Sequence, residues 1–237
     1  MKDNLKDIRK KVKYVLELRY PPLVNVFDKR SEILNKIHPI FKSKMEHWIV
    51  QNSQVIIANS FSIMTKQLAV GHLKSSISYE DPSTLQEYID DSHRFLNELK
   101  KVFPELVGLS RLGFRIISIL EDKKSKNFRE VSDKIRNQFL ANPFPSKINF
   151  NDLKIILTGE QFNLSIGPIK KGEDWIKSIF SNSLEGIPEF GIGIDVDSYV
   201  KDIDCSNERD LINAINKIQI LSFSIETDLI QSFFNGV

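Results

Sequence analysis

The sequence predicts an α+β protein: a curved antiparallel sheet with helices on one face, built from two strand–helix–three-strand–helix repeats. Segments rich in β-branched and aromatic residues alternate with segments whose apolar residues recur every three or four positions. The same order of segments occupies residues 14–103 and recurs over residues 108–237. Because helices on one face of an antiparallel sheet bury such segments well, we expect one domain over residues 1–237, saddle-shaped or helix-grip-like.

Composition restricts the class of protein further. Hydrophobic residues are 41% and charged residues 27% of the chain, which is typical of a folded globular protein. The net charge of +2 is too small to predict nucleic-acid binding by itself. The single cysteine, Cys205, excludes an intramolecular disulfide. With no signal-peptide core and no run of 18 apolar residues, we expect a cytoplasmic protein without a membrane span.

The first repeat opens with a strand and a helix. Residues 14–20 mix β-branched, aromatic and charged side chains and stop at Pro21 and Pro22, which predicts a strand ended by proline. A helical stripe follows, formed by Leu23, Phe27, Leu34, Ile37 and Phe41. Pro39 is expected to break or kink this helix after His38.

A strand meander and a longer helix complete the first repeat. Residues 48–58, 61–65 and 75–79 are short and rich in strand formers, with turn signals at Asn52-Ser53, Asn59-Ser60 and Gly71. Asp81 followed by Pro82 predicts a helix start with Asp81 as the N-cap. Apolar residues then recur at helical spacing as far as Val102.

The second repeat shows the same order. Residues 112–120 predict a buried strand, and Asn127 with Glu130 predicts a capping box at the start of an amphipathic helix that ends at residues 142–145. Residues 148–157 and 162–166 predict a hairpin, and residues 190–200 predict an alternating strand with Ile192, Ile194 and Val196 on one face. A final helix is expected over residues 208–234.

Paired carboxylates are the first candidate site. Asp195 and Asp197 would share one face of the last strand, and paired carboxylates can bind Mg²⁺ or Ca²⁺. Asp202 and Asp204 follow closely, so a metal-dependent hydrolase that uses all four is one hypothesis. The alternative is a solvent-facing strand that runs into an acidic loop.

Basic residues are the second candidate site. Residues 2–13 place Leu5, Ile8 and Val12 opposite their charges, which predicts a short basic amphipathic helix. Such a helix could contact nucleic acid or lipid headgroups, or it could pack on an acidic part of its own chain. The segment from Gly167 to Gly172 holds two lysines between glycines, and we interpret it as a turn rather than a phosphate loop.

Three segments carry a family resemblance. Residues 111–119 are Arg-Leu-Gly-Phe-Arg-Ile-Ile-Ser-Ile, residues 17–20 are Glu-Leu-Arg-Tyr, and the Ile-Asp-Val-Asp-Ser-Tyr of residues 194–199 precedes a long helix containing Glu226-Thr-Asp228. In these the chain resembles a sporadically distributed, functionally uncharacterised bacterial protein family of about this length. That family has a central Arg-aliphatic-Gly-aliphatic-Arg strand, a closing Ile-Asp strand and a Thr-Asp helix.

The chain also departs from the family pattern. Ser118 stands where the family usually has Asn, and Pro21-Pro22 follow the first strand instead of preceding it. The resemblance implies a shared architecture and an accessory gene in mobile or defence-type clusters, and it implies no activity. Arg111 and Arg115, on either side of Gly113, could anchor an acidic group or brace the fold.

These observations favour a non-catalytic intracellular binding or accessory protein without a cofactor. It would engage a protein partner, which could be a second copy of the chain, or a small ligand, on the sheet or at its seam with the helices. The alternatives are the metal-dependent hydrolase and a nucleic-acid-binding accessory protein. The basic residues of the latter would be Lys6, Arg9, Lys10, Lys11, Arg111 and Arg115.

Overall fold

A computed structural model describes residues 8–140, 153–180 and 184–234 of the 237-residue chain. Within these ranges the protein has nine strands, five α-helices and one 3-10 turn, which confirms the predicted α+β class. The elements of the first part are β1 (Arg9–Arg19), the 3-10 turn (Val24–Val26), α1 (Arg30–Phe41), β2 (His47–Val50), β3 (Gln54–Ala58), β4 (Lys66–Gly71), β5 (Lys74–Glu80) and α2 (Leu85–Val102). Those of the second part are β6 (Gly108–Leu120), α3 (Phe128–Phe139), β7 (Ile155–Thr158), β8 (Phe162–Lys170), α4 (Asp174–Ile179), β9 (Phe190–Asp204) and α5 (Glu208–Phe234).

The nine strands form one sheet in the order β2-β3-β4-β5-β1-β6-β9-β8-β7. Every neighbouring pair is antiparallel, as predicted. β1 and β6, which open the two halves of the chain, pair with each other at the middle. β5 and β9, the last strands of the halves, lie on their outer sides. Strands far apart in sequence therefore meet in the centre of the sheet.

Two apolar clusters lie on the same face of the sheet. The first packs α1, α2 and the N-terminal half of α5 against strands that include β1 and β6. The second packs α3 and the C-terminal half of α5 against β8 and β9. A third cluster lies on the opposite face, where α4 covers Ile117 and Ile119 of β6. Four of the five described helices thus share one face, and α4 lies on the other. We call the rest of that second face, which no described helix covers, the open face.

A polar seam separates the two larger clusters beneath the middle of α5. Ser222 Oγ donates to the carbonyl oxygen of Phe114 at 3.2 Å, and Glu226 accepts a hydrogen bond from Ser118. Glu226 is 1% exposed and its carboxylate lies 2.6 Å from Arg9 Nη2, so the buried charge is paired. Of the helices in the described ranges, α5 included, none is long and apolar enough to cross a membrane.

The meander of the first half has four strands instead of the predicted three. The predicted strand over residues 48–58 is a hairpin of β2 and β3, and β4 was not predicted. Residues 61–65, predicted as a strand, form a loop because side chains there bind the backbone. Asn59 Oδ1 accepts the N–H of Lys66 at 2.9 Å, and Ser60 Oγ accepts the N–H groups of Ser62 and Ile63 at 3.2 Å.

Helix ends follow local hydrogen bonding. Thr84, not Asp81, is the N-cap of α2, and its side chain accepts the N–H of Glu87 at 3.0 Å. Asp81 has a φ of 44° and binds the N–H of Val12 instead. The predicted break at Pro39 is wrong: α1 continues to Phe41, because a proline in the last turn removes only one hydrogen bond.

Of the remaining elements, two helices confirm the predictions and the N-terminal segment contradicts its predicted helix. Asn127 Oδ1 caps α3 by accepting the N–H of Glu130 at 3.0 Å, and α5 spans the predicted residues. Residues 9–13, predicted as part of a helix, belong to β1, whose side chains alternate between the two faces. The predicted features at residues 1–7, 142–145 and 148–152 lie outside the described residues. Helix α4 was not predicted.

Candidate ligand-binding face

Charged side chains from three strands meet on the open face. In the register of β1, β6 and β9, Glu17 lies opposite Gly113, and Gly113 lies opposite Tyr199. Since successive side chains point to opposite faces, alternate residues of the three strands form rows across the sheet. We call the resulting set the charge ladder; its members are Glu17, Arg111, Arg115, Asp195, Asp197 and Tyr199.

Arg111 lies at the centre of the charge ladder. Its Nη2 donates to both carboxylate oxygens of Asp197 at 2.7 Å, and its Nη1 donates to Glu17 at 3.3 Å. The guanidinium also lies 4.8 Å from the ring centroid of Tyr199. A Cβ on Gly113 would come within 2.6 Å of Arg111 Nη1, so the glycine lets the guanidinium lie across the strand. Arg111 thus links β1 to β9 over β6.

Arg115 repeats this arrangement with Asp195. Its Nε and Nη2 donate to the two carboxylate oxygens at 2.8 and 2.6 Å, a bidentate pair. The bonds to Asp195 raise the pKa of Arg115 above its ordinary value. The Arg115 side chain is 43% exposed, compared with 15% for Arg111. Arg115 is therefore the arginine of this pair that a ligand can reach more easily.

The carboxylate of Glu17 completes the ladder on β1. Burial opposes its ionisation, but the hydrogen bonds and charges of Arg19 and Lys74 outweigh that effect, so the pKa of Glu17 lies below its ordinary value. Arg19 Nε lies 2.7 Å and Lys74 Nζ 3.3 Å from the carboxylate. Glu17 is thus ionised at neutral pH, and the charges of the open face are held by their neighbours.

The two sets of residues that were predicted as separate sites in this region, the arginines and the aspartates, bind each other. The arginines that could anchor an acidic group bind Asp195 and Asp197, the two residues predicted to hold a metal. Both oxygens of each carboxylate already accept hydrogen bonds from a guanidinium, so a cation bound there would lie beside a positive charge. The described residues contain no group of three or more His, Cys, Asp and Glu side chains placed to bind a metal ion.

Asp202 and Asp204 lie elsewhere on β9. Asp202 lies five residue steps along the strand from Asp197, which corresponds to about 16 Å, so the four carboxylates do not converge. Asp202 has a φ of 53°, and the carboxylate of Asp204 accepts the N–H of Ser206 at 2.8 Å. Hydrogen bonds from the side chain and the N–H of Ser206 lower the pKa of Asp204 below its ordinary value. These two residues line the edge of a wide depression of about 600 Å³ between the ends of β6 and β9.

A smaller pocket of about 170 Å³ adjoins the charge ladder on the open face; we call it the ligand pocket. Gly167 of β8 and Gly193 of β9 face each other in register and form its floor. Ser165, opposite Asp195, connects the floor to the charge ladder. The pocket residues are Lys154, Ser165, Gly167, Pro168, Ile169, Glu173, Trp175 and Gly193.

The glycine floor determines the shape of the ligand pocket. A Cβ on Gly193 would come within 2.8 Å of Ile169 Cγ2 and 3.1 Å of the Trp175 ring, so the indole rests directly on the backbone of β9. Trp175 comes from α4, and Lys154 lies on the other side, just before β7. The pocket thus has an aromatic wall over its glycine floor, and its other lining residues include the basic Lys154 and the acidic Glu173.

The basic residues predicted for nucleic-acid binding are not brought together. Arg9 binds the buried Glu226 on the helix face, while Lys10 Nζ and Lys11 Nζ lie 3.1 Å from Glu121 and Asp81, respectively. Lys6 lies outside the described residues. Each described member of the set, including Arg111 and Arg115, therefore has an acidic partner within the chain.

Sequence reasoning missed the ligand pocket. Gly167 was assigned to a turn, but residues 167–170 continue β8, and the chain turns at Gly172, whose φ is 89°. The alternation of glycines at 191 and 193 was the available signal, because two glycines on one strand often mark a close approach. Their partner Trp175 lies in a helix too short for periodicity to predict.

No protein-family model matches this chain, and no curated protein matches its sequence. The resemblance to a bacterial family therefore stays a prediction.

Proposed function

We propose that this is a non-catalytic binding protein that holds a small ligand in the ligand pocket, beside the charge ladder. The observation that carries the proposal is the slot itself: two paired glycines form the floor, Trp175 the wall and Lys154 the basic side. Concave sites with an aromatic wall and a few polar groups are typical of small-molecule binding.

The charge ladder supports this proposal because its side chains are already positioned before a ligand binds. Arg111 and Arg115 are held by carboxylates of their own chain, so their positions do not depend on a ligand. A ligand that binds beside fixed charges loses less free energy to side-chain ordering. The partly exposed Arg115 offers a positive group near the Asp195–Ser165 side of the pocket.

The chemistry of the pocket suggests the ligand class. Trp175 favours a flat ring, which can stack on the indole. Lys154 and Ser165 favour an acidic or hydrogen-bonding substituent. The volume of about 170 Å³ limits the ligand to a small molecule. We infer a small aromatic acid.

Fluorescence tests the proposal directly. The chain has two tryptophans, so Trp48→Phe leaves Trp175 as the reporter. Titration of this variant with benzoate, nicotinate and indole-3-acetate should give a saturable change in emission for at least one of them. Adding Ser165→Leu should remove the change by filling the pocket. Ser76→Leu, on the open face of β5 but outside the pocket, is the matched control. No saturable response to any of these acids would contradict the proposal.

We also propose that the two halves are related by an internal duplication, in a helix-grip-like arrangement. The matched positions of β1 and β6, of β5 and β9, and of α2 and α5 along the chain support it. The halves meet through β1 and β6, so residues 1–107 and 108–237 expressed as separate chains should co-purify. Two fragments that fold but ignore each other would count against this relation.

The alternatives have less support. Nucleic-acid binding would need cations that are now paired with carboxylates, and its test is filter binding over a salt series, because phosphate contacts weaken steeply with salt. A metal-dependent hydrolase would need a cation to bind Asp195 and Asp197 beside the guanidinium groups of Arg115 and Arg111. A thermal melt with Mg²⁺ or Ca²⁺ tests that prediction, since a bound cation raises the melting temperature.

A further inference from the structure

One edge of the sheet is formed by β2, which among the described residues pairs only with β3. The N–H of Gln51 donates to the carbonyl of Gln54 at 2.9 Å, so that pair is hydrogen-bonded. Bonded pairs alternate along an antiparallel ladder, which makes Ile49 the next residue of β2 bonded to β3. The N–H and C=O groups of Trp48 and Val50 therefore point away from the sheet.

The side chains at this edge are apolar and exposed. Trp48 is 49% and Val50 40% exposed, and both lie on the helix face, in register with the buried Ile57 and Val55. Phe61, which is 58% exposed, contacts His47 in a tilted arrangement with 4.5 Å between ring centroids. Natural sheets usually protect such an edge with lysine, proline or a bulge. β2 contains none of these.

β2 is also complementary to a second copy of itself. In an antiparallel pairing about a two-fold axis through Ile49, Trp48 of each copy lies opposite Val50 of the other. Both residues direct their polar groups outward, so all four free groups of each strand would be hydrogen-bonded. His47 would face Gln51, so no like charges are opposed across the pair. The exposed Trp48 and Val50 side chains would cover each other.

We propose that the protein forms a symmetric dimer through β2, in which the two sheets join into one continuous antiparallel sheet. The open faces of the two copies then lie on the same side of the joined sheet. The ligand pockets, near β7 at the other end of each sheet, lie far from the two-fold axis. The interface is isologous, as in most homodimers. It does not depend on the proposed ligand.

The geometry gives a test of the pairing register. Ile49 and its copy would form a non-hydrogen-bonded pair with Cα atoms about 4.5 Å apart, within the range for a disulfide. In a Cys205→Ser background, Ile49→Cys should give a disulfide-linked dimer on mild oxidation. Gln51→Cys is the matched control, because two copies of residue 51 would be about 13 Å apart along the strands.

Sedimentation of the full chain tests the dimer itself. The natural protein should sediment as a dimer, and Val50→Pro should sediment as a monomer, since proline removes an outward N–H without breaking a bond to β3. Val50→Lys, which keeps the backbone groups, should weaken the dimer as well and covers the case in which the proline variant does not fold. A monomer at all concentrations, or a dimer that persists in Val50→Lys without cross-linking at residue 49, overturns the proposal.

Discussion

Replacing Arg111 by methionine should destabilise the protein more than replacing Asp197 by asparagine, although the two side chains form one ion pair. Arg111 bonds two carboxylates, those of Asp197 and Glu17, at 2.7 and 3.3 Å. Without the guanidinium, the Asp197 carboxylate loses its bidentate partner, and Glu17 keeps only Arg19 and Lys74. Without the Asp197 charge, the guanidinium still has Glu17 and the ring of Tyr199.

The expected magnitudes follow from this difference. Arg111→Met loses charge-assisted hydrogen bonds to two acids, which should cost about 3 kcal/mol of unfolding free energy. Asp197→Asn loses one ion pair from a site that is 26% exposed on the carboxylate side, which should cost about 1 kcal/mol. In the double variant the Asp197 charge that Arg111→Met leaves unpaired is gone, so the loss should be about 2 kcal/mol. The coupling between the residues is then about 2 kcal/mol.

Urea unfolding of the four proteins measures this cycle. The slope of free energy against urea should stay constant, since the sheet remains folded in each variant. The exposed helical pair Glu32–Lys36 of α1 provides a control cycle, in which the coupling should be much smaller. Equal losses for the two single variants, or a coupling near zero, would refute the view that Arg111 neutralises two acids.

Three further predictions concern stability. The hydrogen bond from Lys66, at 2.8 Å, lowers the pKa of Glu87 to about 2. Glu87→Gln should therefore cost about 1–2 kcal/mol at neutral pH, and the difference from the natural protein should shrink as the pH falls from about 4.5 to 2 in urea unfolding. Asn127→Ala removes the N-cap of α3 and should cost about 1 kcal/mol in the same assay, whereas Asn127→Ser should restore most of it. Phe114→Ala removes a fully buried ring that contacts Tyr14, Tyr88 and Phe223, and should cost about 4 kcal/mol in chemical unfolding. Phe114→Leu should cost less, and a loss below about 1 kcal/mol for alanine would contradict the assigned packing.

Elements with both a local start signal and a long apolar pattern were predicted well. Helix α3 shows this, because the Asn127 cap agrees with the periodicity that follows it, and α5 was predicted from its long apolar pattern alone. Residues 9–13 were harder, because Ile8 and Val12 fit a helix while Val12 and Tyr14 fit a strand. Pairing with β5 and β6 makes this segment a strand, and the local sequence pattern does not contain information about that pairing.

The candidate site shows the same limit. Arg111 and Asp197 were each noticed in the sequence, but as parts of unrelated hypotheses. They are 86 residues apart, and only the register of β6 against β9 brings them together. The ligand pocket requires two such long-range contacts. The register of β8 against β9 must pair the glycines, and α4 must place Trp175 above them.

The polar seam beneath α5 has a consequence for how the molecule opens. Apolar packing along this helix is interrupted at Gln219, Ser222 and Glu226, between the two clusters. The C-terminal turns can therefore fray together with α3 while the N-terminal turns stay packed on the other half. Such an excursion would uncover β8 and β9, the strands that carry the glycine floor. Hydrogen exchange should accordingly be faster in the C-terminal turns of α5 than in its N-terminal turns. The glycine floor faces the other side of the sheet, so the exchange of a bound ligand should not follow this fluctuation.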